Sequence, residues 1–184
     1  MLYTAECVTP RHPDKICDQI SDLILDLCLQ KDPYSRVAVE TMGGHGQITI
    51  TGEVTTNAKL GNKKIKDTIL QKFPELKAYK FVVNLSKQSS EIAQGVDIGG
   101  AGDQGIMIGY ACNENEEFLP QEYFLARKLA KSIYEKFPFD GKTQVTLDES
   151  NKVIAVVASF QNVDRATLLS LVQEVIPNSN KYFI

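Results

Sequence analysis

Four short stretches carry residue types that could do chemistry. His12-Pro13-Asp14-Lys15 sets an imidazole, a carboxylate and an ammonium within one turn of a helix start. Free backbone N–H groups and the helix dipole favour anions there. The set suits a polyphosphate with Mg²⁺: Asp14 could hold the metal through oxygen, Lys15 could neutralise a phosphate, and His12 could donate to a developing negative oxygen. Taken alone, the same residues also make an ordinary helix cap with solvated charges. Gln94 to Gly105 holds five glycines in twelve residues, which permits close approach of backbone to a ligand and equally suits a plain connector. Asp140-Gly141-Lys142-Thr143 puts an acid and a base at the mouth of a strand, as a ligand site or as a turn. Glu40 and Glu53 fall on neighbouring strands, and Glu40 stands between apolar residues in Val37-Ala38-Val39-Glu40-Thr41. A carboxylate in an apolar strand needs a partner, so a cation is attractive; an edge-strand surface glutamate is the other reading. His45 has no second ligand-type neighbour and reads as a turn residue.

The elements that must position these groups follow from periodicity. Ile16, Ile20, Leu23, Ile24, Leu27 and Cys28 recur at helical spacing behind Pro13, a good first helical residue, and predict a helix near 13–30. Arg36–Met42 and Gln47–Val54 are rich in Val, Ile and Thr and flank Gly43-Gly44-His45-Gly46, predicting a hairpin. A helix near 60–73 ended by Pro74 and a strand over Lys80–Leu85 complete the first half. The second half repeats the order: a helix near 120–136, strands at Thr143–Leu147 and Val153–Phe160, a helix near 164–176 and a final Lys181–Ile184 segment. The leading strand also has a counterpart, since Tyr3–Cys7 lines up with Gly109–Asn113. An offset of about 105 residues means duplicated domains rather than a solenoid.

The expected fold class is therefore α+β, built from duplicated β-α-β-β-α-β units over 1–98 and 99–184. Each unit should be a mixed or antiparallel sheet with helices on one face. Uncovered sheet faces favour self-association.

Composition bounds the function classes. Of 184 residues, 43% are hydrophobic and 23% charged, as in ordinary globular proteins. The formal net charge of −3 with scattered Lys and Arg leaves no basic stripe, so nucleic acid is not an expected partner. No apolar run approaches the ~20 residues of a membrane span. Met1–Glu6 lacks a basic segment followed by an apolar stretch, and the expected location is the cytoplasm. Cys7, Cys17, Cys28 and Cys112 form no CxxC pair and read as reduced, apolar-facing residues.

Several of these segments, in order, resemble S-adenosylmethionine synthetase along the whole chain. They are His12-Pro13-Asp14-Lys15 with Asp18 and Asp22 following, Val39-Glu40-Thr41, Gly52-Glu53-Val54-Thr55-Thr56, Lys87-Gln88-Ser89 to Gln94-Gly95-Val96-Asp97, Gly100-Ala101-Gly102-Asp103-Gln104-Gly105, and Asp140 to Thr146. The resemblance implies an enzyme that joins L-methionine to ATP and releases phosphate and diphosphate, with Mg²⁺ and K⁺ as cofactors. By position it implies catalytic roles for His12, Lys15 and Lys142 and ATP contacts from His12, Asp140 and Lys142. It further implies methionine contacts from Glu53, Gln94 and Asp103, with Asp14 on Mg²⁺ and Glu40 on K⁺. Thr9-Pro10-Arg11 stands where the family has a Ser-x-Gly-like lead, and the stretch from Asp97 to Gly102 is shorter than the family's gating loop.

The family carries the fold unit three times and builds each active site between two chains. Two repeats are present in these 184 residues, so the expected partners are a homo-oligomer (a dimer or dimer of dimers) or a complementary chain supplying the third. A noncatalytic ATP- or methionine-binding or assembly module is the competing expectation. Of the cations needed around a leaving triphosphate, only His12, Lys15 and Lys142 are candidates. Each absent charge-assisted contact costs about 2–4 kcal/mol of transition-state stabilisation, so missing two or three predicts turnover at least about a thousandfold below an ordinary rate near 1 s⁻¹. Mass spectrometry of S-adenosylmethionine formed by the purified 184 residues checks this; a rate near 1 s⁻¹ would show that two repeats suffice.

Overall fold

The computed structural model describes residues 1–89, 99–100 and 105–184. Two compact units emerge: Ile16–Met107, and Met1–Lys15 together with Ile108–Ile184. The unit boundaries therefore differ from the sequence repeats, because the amino-terminal strand lies in the sheet of the second repeat.

In the unit of Ile16–Met107, helix α1 (Pro13–Leu29, whose first turn belongs to the other unit) is followed by the hairpin β2 (Arg36–Gly44) and β3 (Gln47–Thr55). Helix α2 (Asn62–Lys72), a 3₁₀ turn over Pro74–Ala78 and strand β4 (Lys80–Ser86) complete it. The sheet order is β2-β3-β4, antiparallel across the hairpin and parallel from β3 to β4. A helical crossover is what a parallel neighbour requires. Residues alternate between faces: Val39, Ile48 and Ile50 are buried with Ile20 and Ile24 of α1 and Ile65 and Ile69 of α2, so both helices lie on one face. Two backbone positions fix the hairpin. His45 and Gly46 form its two-residue turn with φ of 47° and 77°, the left-handed pair such turns demand. Gly52 has φ 144°, and a Cβ there would stand 2.0 Å from the Ala38 carbonyl oxygen across the ladder. The reading of His45 as a turn residue is borne out.

The other unit contains β1 (Leu2–Val8), α3 (Gln121–Lys136), β5 (Gly141–Asp148), β6 (Val153–Phe160), α4 (Arg165–Val175) and β7 (Lys181–Phe183). Its sheet order is β1-β5-β6-β7, with β6 and β7 parallel and the rest antiparallel. Strand β5 alternates strictly between buried and accessible residues. Val145, Leu147, Val156 and Ala158 are buried with Ala126, Leu129 and Ile133 of α3 and Leu168, Leu171 and Val172 of α4. Asp164 caps α4, its carboxylate accepting from Thr167 N at 3.0 Å.

The α+β class, the mixed sheets and the one-sided helices match the expectation. The leading strand anticipated at Gly109–Asn113 does not form; residues 105–112 carry no strand, and Ile106, Met107 and Ile108 are at least 90% exposed. The strand that does pair with the edge of β5 is β1. Among the described residues no helix is long and apolar enough to cross a membrane, and the four cysteines are free thiols.

Asp32 ties the end of α1 to the end of β3. Its carboxylate accepts from Asn57 N at 2.8 Å, Tyr34 N at 3.1 Å and Thr56 Oγ1 at 3.5 Å. These bonds, the Asn57 amide foremost, hold its pKa below the ordinary carboxylate value. A lowered folded-state pKa contributes stability that is complete above the unfolded value, near 3.9, begins to fall there and is lost as pH drops through the folded value. Asp32→Asn is therefore expected to lose stability at pH 7 and to show a shallower loss between pH 5 and pH 3 than the wild type. Urea unfolding midpoints measured across that interval check it, and parallel curves for the two proteins would refute the assignment.

Candidate active site

Strand pairing assembles a cleft from segments far apart in sequence. The antiparallel register of β1 on β5 sets Val8 opposite Lys142, so the chain leaves β1 beside the start of β5 and reaches His12 immediately before α1. The β5–β6 register sets Lys142 opposite Ser159 and Gly141 opposite Phe160. His12, Asp140, Gly141, Lys142, Ser159, Phe160 and Gln161 together line an open cleft of about 350 Å³. All seven belong to one compact unit.

His12 is only 23% exposed at its side chain, and its Nδ1 accepts from Asp14 N at 3.3 Å. An imidazole accepting at Nδ1 carries its proton on Nε2, leaving an N–H donor on the far side of the ring. Asp14 Oδ2 lies 3.7 Å from the same Nδ1, while the Asp14 side chain is 89% exposed. Pro13 brings no N–H to the first turn of α1 and the Asp14 N–H is the one given to His12, while the helix dipole still favours an anion at this end. Lys15 follows in that turn.

Lys142 Nζ sits 2.7 Å from Glu6 Oε2, both side chains being about half exposed. Glu6 is opposite Gln144 in the register, so the pair is diagonal across one sheet face. An exposed pair of this kind is worth about 0–1 kcal/mol, and a multiply charged phosphate can displace it. Asp140 is held by Gln161, whose Nε2 donates to Asp140 Oδ2 at 3.3 Å and whose N donates to Asp140 O at 2.9 Å. The cleft thus offers one lysine, one imidazole and a flanking carboxylate, with the Phe160 ring as an apolar wall. Cys7 lies on β1 nearby, and burial pushes the pKa of its thiol up.

Of the residues singled out in the sequence, the structure brings His12, Asp140 and Lys142 around one cleft, with Asp14 against His12. Glu40 and Glu53 lie on the sheet of the other unit. Glu40 is exposed on β2, an edge strand, on the face opposite buried Val39, as the surface-glutamate reading of the sequence has it. Glu40 pairs with Thr51 and Glu53 with Ala38, so the two carboxylates are diagonal neighbours on the uncovered face. Gln94 and Asp103, together with the stretch from Asp97 to Gly102, fall outside the described residues except for Gly99 and Gly100. Sequence reasoning missed Glu6, Ser159, Phe160 and Gln161. The β5–β6 alternation could have suggested Ser159 opposite Lys142; no local signal marks Glu6, because its pairing spans most of the chain.

A duplicated α+β scaffold thus gathers a histidine, a lysine and a helix start at one sheet end. Residues 1–95 match the S-adenosylmethionine synthetase N-terminal domain and residues 98–182 its central domain, and the chain belongs to the S-adenosylmethionine synthetase family. The S-adenosylmethionine synthase of Clostridium tetani is 40% identical across 90% of this chain and 51% of its own length. That of Parvibaculum lavamentivorans is 38% identical across 96% of this chain and 54% of its own. The solved S-adenosylmethionine synthetase of Campylobacter jejuni aligns over 100% of this chain and 57% of its own, with a TM-score of 0.82 at 30% identity. The chain spans about half the length of the curated relatives it matches.

Gly141 is required by the cleft wall, since an added Cβ would meet the Phe160 ring at 2.3 Å. Gly141→Ala is expected to cost about 1–3 kcal/mol through overpacking, and combining it with Phe160→Leu should recover most of that loss. Urea denaturation of the three variants checks this; a double variant no more stable than Gly141→Ala would show that the ring is not the obstacle.

Proposed function

We propose that the protein forms S-adenosylmethionine from ATP and L-methionine and releases phosphate and diphosphate. The observation that carries the reading is the convergence of His12, Asp140 and Lys142 on one cleft in a chain of this family. In the reaction the methionine sulfur attacks C5′ of the ribose, forming the C–S bond as the C5′–O bond breaks. The departing triphosphate takes the electron pair, and water then cleaves it. A thioether is already a nucleophile, so no base is needed and positioning supplies much of the rate.

Negative charge grows on the bridging oxygen as the bond breaks, and groups aimed there lower the barrier most. His12 donates through Nε2–H to that oxygen. Lys142 exchanges its pairing with Glu6 for a phosphate, Lys15 neutralises a second phosphate at the start of α1, and Asp140 contacts the nucleoside. Glu53, Gln94 and Asp103 hold methionine's charged and polar groups.

Asp14 fits Mg²⁺ as a single exposed carboxylate at an anion-favouring helix start, because this metal commonly takes one or two carboxylates and completes its shell with phosphates and water. Among the described residues no three His, Cys, Asp or Glu side chains cluster. Glu40, diagonal to Glu53 on an exposed sheet face, fits a weakly held K⁺. When bound at Asp14, Mg²⁺ would offset part of the triphosphate charge. Self-association through the sheet faces that carry no helix of their own unit, and a cytoplasmic location, belong to the same proposal.

His12→Ala, in the complete enzyme, is expected to lower kcat by about 10²–10³ while the Kd for ATP changes by less than about threefold, since His12 acts on charge present only in the transition state. Steady-state kinetics with a separate ATP-binding titration decide it. Equal losses in rate and binding would make His12 a ground-state contact.

A further inference from the structure

We propose that Thr9 is the residue that positions His12 against the segment carrying Asp140 and Lys142. The inference rests on the reading of His12 given under Proposed function, but its geometry stands by itself. Thr9 is 1% exposed and lies one residue beyond the last paired residue of β1. Its N–H donates to Gly141 O at 2.9 Å, and its Oγ1 accepts from Gly141 N at 3.1 Å and donates to Phe139 O at 3.0 Å. Its own carbonyl accepts from His12 N at 3.0 Å. One buried residue therefore bonds to both chains that form the cleft, on either side of Asp140 and directly to His12.

The hydroxyl is the part that no apolar residue can replace. It donates and accepts at once, and it satisfies an N–H and a carbonyl belonging to the segment just before Lys142. The next residue, Pro10, has no N–H to give to a ladder. The turn from Thr9 to His12 then runs directly into α1, and the bond from His12 N to Thr9 O closes that turn. Loss of the hydroxyl leaves the Gly141 N–H and the Phe139 carbonyl without their side-chain partner and lets the turn move away from the strand. Thr9 touches neither reacting group and does not line the cleft; it acts through His12.

The protein has two histidines, and His45, in the turn of the other unit, serves as an internal reference. Ring ¹⁵N shifts of His12 and His45 are recorded for the full chain, for Thr9→Val, which keeps the shape and removes the hydroxyl, and for Thr9→Ser, which keeps the hydroxyl. The expected result is that Thr9→Val moves the two ¹⁵N shifts of His12 towards values averaged between tautomers and leaves His45 unchanged, while Thr9→Ser matches the wild type. Thr9→Ala carries the same test if Thr9→Val does not fold. Unchanged His12 shifts in a folded variant lacking the hydroxyl, or a Thr9→Ser variant that behaves like Thr9→Val, would overturn the proposal.

Activity of the complete enzyme gives the second readout. Thr9→Val should lower kcat by about 10–100-fold with KM for ATP within about threefold, and should cause no further loss when combined with His12→Ala. The same fractional loss in the presence and absence of His12 would overturn the positioning role. A wild-type enzyme that makes no S-adenosylmethionine but shows the expected ring shifts would remove the proposed reaction and leave the role of Thr9 standing.

Discussion

The antiparallel pairing of β1 with β5 is the constraint on which the candidate site depends. Seven residues from the amino terminus dock on a strand that follows the whole of the other compact unit, with Thr9 and Phe139 hydrogen-bonded across 130 positions. Closing so long a loop costs only about 0.6 kcal/mol more for each doubling of its length, which a seven-residue ladder readily offsets. Its consequence is chemical. The His12 segment and the Asp140–Lys142 segment, each an unremarkable cap or turn alone, become two walls of one cleft.

Polar bonds and apolar packing divide the work. The cores under each sheet, Ile24, Ile50 and Ile65 in one unit and Leu129, Val145 and Val172 in the other, are fully or nearly fully buried, and each such side chain contributes about 1.5–3 kcal/mol by leaving water. The cleft borrows that stability. Its own side-chain contacts, the exposed Lys142–Glu6 pair and the bond from Gln161 Nε2 to Asp140 Oδ2, are weak and exchangeable, as groups must be if a phosphate is to displace them. Rigidity enters through backbone positions at the margin: Gly141 beneath Phe160, and the extended turn that leads into α1.

Duplication explains both the regularity of the molecule and its asymmetry. Each repeat supplies a hairpin, a crossover helix and a parallel third strand, so the two sheets share the β-β-α-β order. Only one of them gains a fourth strand. With β1 on the β5 edge, residues 105–112 remain without a sheet partner among the described residues, although Ile106, Ile108 and Tyr110 alternate like a strand.

The sequence by itself determined the helices, the strands and the one-sided burial, because periods of 3.6 and 2 are local properties of a chain. It also marked His12, Asp14, Asp140 and Lys142, since such residue types at a helix start or strand mouth carry their chemistry with them. Tertiary structure alone decided that β1 crosses into the other repeat's sheet, that Glu40 faces outward, and that Glu6, Ser159, Phe160 and Gln161 join the cleft. Register and strand order depend on pairings between residues more than a hundred positions apart. No window of the sequence contains both partners of such a pair, so their meeting is fixed only when the sheet closes.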